Sequence, residues 1–299
     1  MEKAILKSIV PVVTVIAFTA QAVDYVWNGS VDNNWKNAAN WEEKSIPAVD
    51  ENGAVFNSAN TIRIQAGKHQ PTKNVPSFAG GSNVTQTAPV FIIENGASLD
   101  INAFSSDPFI GAQNITGVTV ESGGSLAWSA SSSITFGRNS GVQTYNIRGT
   151  FTLTAPRINF GYAAGRLSQI NLDGGTLELN TVNIYASRSG YTNEQAAINK
   201  VILTNGAKFI TTGIFRVIGE NELILGNKAH QALVFDIQDA ASSVTFKLSG
   251  NSVRDFCHIS AVEGALSKFF ISSTLGNEAL VVTENRTDRT VTITASGAK

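Results

Sequence analysis

Five residues stand just before a polar turn in successive repeats of the chain: Glu94, Glu121, Arg148, Asp173 and Thr204. Stacked in that order, they set Arg148 between Glu121 and Asp173. Two carboxylates facing one groove are the equipment of glycoside hydrolysis. Glu94 and Glu121 would be neighbouring like charges, and that raises one carboxylate pKa, as general acid work requires. The same row on an exposed turn also reads as ion pairs worth about 0.2–1 kcal/mol each. A second group is aromatic: Trp27, Trp35 and Trp41. Three indoles near the start of a mature chain are either stacking faces for sugar rings or apolar area that closes the end of a core.

Other chemistry finds little support. No Asp-Asp pair, Gly-His-Gly or Gly-x-Ser-x-Gly elbow occurs, and no glycine-aspartate calcium repeat. His69, His230 and His258 are far apart, without metal-ligand spacing. Cys257 and His258 are adjacent, which points them to opposite faces of a strand. No cofactor or metal is expected. Cys257, the one cysteine, reads as a small buried hydrophobe or as half of an intermolecular bridge.

The elements that position the charged row are repeats. Counting from the apolar residue after each turn, the steps are 27 (Leu99 to Leu126), 25 (to Phe151), 26 (to Leu177) and 32 (to Phe209). A fixed period of this size marks a solenoid, propeller or array. Each period holds about three short strands and three bends, as in Ser125-Leu126-Ala127-Trp128 followed by Thr135-Phe136-Gly137. A propeller blade needs four strands and a longer period, and the leucine-rich signature is absent. One period is therefore read as one coil of a parallel β-helix. Equivalent residues then stack about 4.8 Å apart. Leu99, Leu126, Phe151, Leu177 and Phe209 form one expected interior ladder; Ile110, Phe136, Phe160, Ile184 and Ile218 form another. Arg188 to Lys200 is a polar insertion, and Ala279–Val282 with Thr290–Thr294 reads as a closing hairpin.

Ahead of the repeats lie two different segments. Lys3 and Lys7, the apolar run Ile9 to Thr19 and Ala20-Gln21-Ala22 read as a signal peptide cut after Ala22. A membrane anchor is the competing reading, but the run falls short of the roughly 20 apolar residues that span a bilayer. No later stretch is apolar enough to anchor the chain, so no transmembrane segment is expected after cleavage. Residues 23–59 carry three of the four tryptophans. The 299 residues have a net charge of −1, which gives no reason to expect nucleic acid as a partner.

The order Trp27-Asn28-Gly29, Asn34-Trp35, Asn37-Ala38-Ala39-Asn40-Trp41, then Pro47 and Ala54-Val55-Phe56 resembles the start of bacterial secreted proteins with autotransporter-type β-strand repeats. The resemblance is close over about 35 residues and one of style in the repeats. It implies a right-handed parallel β-helix and an exported, surface-associated protein. The whole reading is then an all-β, right-handed single-stranded parallel β-helix with an N-terminal cap. Its segments are a signal peptide (1–22), a Trp-rich cap (23–59), the β-helix (60–250) and an irregular closure (251–299). The expected role is non-enzymatic, structural or adhesin-like at the cell surface, with glycans or other proteins as partners. A polysaccharide lyase or hydrolase is the alternative. Residues 67–86 read as a long irregular loop, a place where such folds carry function.

Overall fold

The computed structural model describes residues 24–47, 61–75, 90–103, 117–131, 133–137, 141–160, 166–185, 199–216, 233–247 and 270–297. The signal segment, Ile110, Ile218, His230, Cys257, His258 and most of the 188–200 insertion lie outside the described residues. The protein is all-β, with long parallel sheets. Sheet one, numbered along the chain, has β1 (Asp24–Trp27), β2 (Thr61–Ile64), β3 (Val90–Ile93), β5 (Gly117–Val120), β8 (Gly141–Ile147), β11 (Arg166–Asp173), β14 (Asn199–Thr204), β17 (Leu233–Ile237) and β19 (Phe270–Ile271). All of its pairings are parallel. Sheet two has β4 (Ser98–Ala103), β6 (Ser125–Ala130), β9 (Thr150–Thr154), β12 (Thr176–Asn180), β15 (Lys208–Thr211) and β18 (Ser243–Lys247), again parallel. Sheet three has β7 (Ser133–Phe136), β10 (Arg157–Phe160), β13 (Asn183–Tyr185) and β16 (Ile214–Arg216). From β5 to β16 the chain visits the three sheets in strict rotation.

Alternation drives this arrangement. Thr61-Ile62-Arg63-Ile64 buries its two isoleucines and turns Thr61 and Arg63 outward. Along sheet two, Leu99, Leu126, Phe151, Leu177 and Phe209 stack in register and are buried, as the repeat predicts, and Val244 extends them. The second expected ladder is corrected. Phe136 does stack on Phe160, with ring centroids 5.3 Å apart. Ile184, however, pairs with Ile158, two residues earlier, in the row Ile134–Ile158–Ile184. The error arose from aligning each third strand on its closing residue rather than on the register fixed by its backbone pairing. Corner residues staple the sheets together: buried Asn199 accepts from the Ser168 amide at 2.7 Å and donates to the Phe160 carbonyl at 3.1 Å.

Each end of the stack carries an element that departs from the repeat. At the start, Trp27, Trp35 and Trp41 are fully buried against one another. The segment after Trp41 seals the edge of β1, since the Glu42 amide donates to the Val26 carbonyl at 2.9 Å. Asparagines hold this cap. Buried Asn40 accepts from the Val31 and Asp32 amides, both at 3.0 Å, and donates to the Asp32 carboxylate at 2.6 Å. Asn37 caps the short 3-10 turn Ala38–Asn40 by accepting from the Ala39 amide at 3.1 Å. Hydrogen bonds from Asn37, Asn34 and Asn40 hold the Asp32 carboxyl below the ordinary aspartate range. At the far end, β20 (Leu280–Asn285) and β21 (Thr290–Ala295) form the expected hairpin. It joins sheet two antiparallel to β18, so that sheet is mixed.

Candidate functional site

The charged row forms as its spacing predicts. Glu121, Arg148, Asp173 and Thr204 occupy equivalent positions at or just past the ends of neighbouring sheet-one strands. Each is followed by a tight corner into sheet two. Gly123, Gly174 and Gly206 take positive φ there, a conformation that glycine adopts without cost. Arg148 donates from Nη1 to Glu121 Oε2 at 2.9 Å and lies 3.4 Å, through Nε, from Asp173 Oδ2. Asp173 also accepts from Asn205 Nδ2 at 2.5 Å and from Thr204 Oγ1 at 3.4 Å. The Asn205 hydrogen bond, then Arg148 and Thr204, keep the Asp173 carboxyl below its usual range. The two carboxylates raise the guanidinium in turn.

Glu94, next in the row, has an arginine partner of its own. It accepts from Arg63 Nη1 at 3.1 Å, and Arg63 also lies 3.7 Å from Asp24. Two groups therefore share one edge, each an arginine between two acids. Arg63 escaped notice because it lies on β2, two residues away from the row in register.

The face beside the row holds the feature that the sequence reading missed. Asn146, Asn171 and Ile202 are stacked in register on the outer side of sheet one. Asn171 Nδ2 donates to Asn146 Oδ1 at 2.9 Å, and Gln169 Nε2 donates to Asn171 Oδ1 at 3.1 Å. With Arg148, Asp173, Thr204 and Asn205 they line an open cleft of about 470 Å³. The signal was present in Asn146-Ile147-Arg148 and Asn171-Leu172-Asp173, where an amide stands two residues ahead of a charge.

Comparison with known proteins finds no match to any family model, any curated protein or any solved structure.

The three tryptophans take no part in this cleft. All are fully buried, with centroids 4.7–6.3 Å apart, and Trp27 and Trp41 spend their indole N–H groups on the carbonyls of His69 and Trp35. They expose no ring to a sugar, so in this conformation they build the cap, not a stacking surface. The expected display loop also begins as cap: the Trp35 amide donates to the Lys73 carbonyl at 2.8 Å, and the His69 amide to Gly29 at 3.1 Å. Residues 76–86 lie outside the described residues. No group of three metal-ligating side chains occurs among the described residues, and no helix there is long and apolar enough to cross a membrane.

The Arg148 row has a calculable worth. Its side chains are a third to a half exposed, so each pair contributes about 0.2–1 kcal/mol. Arg148→Ala is expected to lower stability at neutral pH by no more than the two pairs together. The sign with pH follows from Asp173, whose carboxyl is depressed in the fold. Its contribution is full above the unfolded value, near 3.8, and is lost as pH falls through the lower folded value. Denaturant unfolding at both pH extremes checks this. The gap between wild type and Arg148→Ala should close in acid, and a gap that widened there would contradict the ion-pair account.

Proposed function

We propose that the protein is an exported, non-enzymatic right-handed parallel β-helix that binds glycans through the outer face of sheet one. The observation that carries this is the open cleft of amide, guanidinium, carboxylate and hydroxyl groups lined by Asn146, Arg148, Asn171, Asp173, Thr204 and Asn205. Such groups exchange hydrogen bonds with sugar hydroxyls, and half-buried Ile202 offers an apolar patch to a sugar's C–H face. Strict rotation of the chain among three sheets from β5 to β16, with parallel pairing throughout that stretch, supports the β-helix reading. The basic start, apolar run and Ala20-Gln21-Ala22 support export. The Trp-Asn-Gly…Asn-Trp resemblance supports a place among surface-associated repeat proteins.

Binding is favoured over hydrolysis by the state of Asp173. Its carboxyl is held ionised and shared among Asn205, Thr204 and Arg148, which suits neither a proton donor nor a free nucleophile. The test is a polysaccharide pull-down with the mature protein, run beside product analysis of the same polymers. Retention without new reducing ends or unsaturated uronates is expected. Asn205→Gly should weaken retention about tenfold, because it deletes the amide while tolerating the positive φ of that position. Cleavage products would overturn the non-enzymatic reading. Absence of retention on every polymer would overturn glycan binding.

A further inference from the structure

The charge around the cleft narrows the ligand. One carboxylate, Asp173, and one guanidinium, Arg148, line it, with Glu121 and Asp236 on the flanking strands. Arg148 is already engaged by Glu121 at 2.9 Å and by Asp173 at 3.4 Å. Beyond Ile202 in register stands Asp236, mostly buried and saturated. Its oxygens accept from the Ser273 amide at 2.9 Å, Ser273 Oγ at 2.8 Å and Gln238 Nε2 at 2.8 Å. A uronate, sulfate or phosphate on an incoming chain would meet Asp173, with the Asp236 charge one strand beyond Ile202, and no uncommitted guanidinium among the lining residues to receive it. The opposing feature is Lys200, an exposed cation in register with Gln169 one row away from Asn171.

Geometry adds a direction. Asn146, Asn171 and Ile202 follow one another across neighbouring strands, about 4.8 Å apart. That spacing is close to the rise of one sugar in an extended, equatorially linked polysaccharide. Amides on the first two steps meet hydroxyls, and the isoleucine on the third meets a ring face.

We infer that the cleft takes an uncharged, extended polysaccharide lying across the strands of sheet one, an inference that rests on the glycan-binding reading above. Repulsion by Asp173 and Asp236, with Arg148 neutralised in place, excludes acidic polymers.

Affinity electrophoresis of the mature protein in gels holding a neutral β-glucan or polygalacturonate tests it. The glucan should retard the wild type at low and at physiological salt, and polygalacturonate should not. The variant Glu121→Gln with Asp173→Asn frees Arg148 and should gain salt-sensitive retardation by polygalacturonate, at least fivefold over wild type. Asn171→Ala should lose about tenfold on glucan, with thermal unfolding confirming that it folds. Wild type held as strongly by polygalacturonate as by glucan would overturn the inference and leave glycan binding standing. Failure of the double variant to gain retention would also overturn the charge argument. Retardation by neither polymer would overturn the underlying reading as well.

Discussion

Replacement of Trp41 by alanine is expected to lower stability by about 3–5 kcal/mol, the range for deleting a buried aromatic side chain. Its indole is fully buried and meets Trp35 and Trp27 edge to face, with centroids at 4.7 and 5.3 Å. Its N–H satisfies the Trp35 carbonyl at 2.9 Å, which the variant would orphan. The same segment bridges to Trp27 and shields β1, the outermost strand of sheet one. Loosening it uncovers a row of backbone donors and acceptors that another chain can pair with. The variant should therefore both unfold at lower denaturant and self-associate, as read by unfolding curves and light scattering. Trp41→Phe keeps much of the apolar area and should recover most of the loss. A cost below about 1 kcal/mol for the alanine variant would mean that the cap is not cooperative with the stack.

The repeat was legible because each circuit cannot bury its apolar face alone, and so must rewrite the same alternation every 25 to 32 residues. Glu121, Arg148 and Asp173 were found the same way, since a corner glycine fixes the position before it. What escaped notice has other causes. The Ile134–Ile158–Ile184 register is fixed by backbone pairing, and matching the third strands by their closing residues does not measure it. Arg63 reaches Glu94 diagonally, and counting equivalent positions finds only partners directly opposite. Asn40 is fully buried and Asn171 bridges two strands, and neither role leaves a period in the sequence. The tryptophans show their type in the sequence and their full burial only in the structure.

The corner that carries Arg148 sets the other large expectation. Successive corners rest on one another in single file. Thr150 N donates to Gly124 O at 2.9 Å, Thr176 N to Gly149 O at 2.8 Å, and Lys208 N to Gly175 O at 2.9 Å. A Cβ on Gly149 would stand 2.2 Å from the Gly124 carbonyl oxygen and 2.4 Å from that of Glu121. Gly149 is not among the positive-φ glycines, so the demand is for space rather than for unusual torsion angles. Both obstructing atoms are backbone, held by their own ladder bonds, and neither can swing aside. Gly149→Val is therefore expected to cost about 4 kcal/mol, at the upper end for a single substitution. It should also displace Arg148 from Glu121 and Asp173, so glycan retention should fall well below the melting transition. Ala207, at the equivalent corner two circuits on, already carries a Cβ. Ala207 is fully buried, so Ala207→Gly should lose about 1–2 kcal/mol, through the lost methyl and the freedom of the unfolded chain. Equal costs at the two corners would refute the close-approach argument, because only one of them lacks room for a side chain.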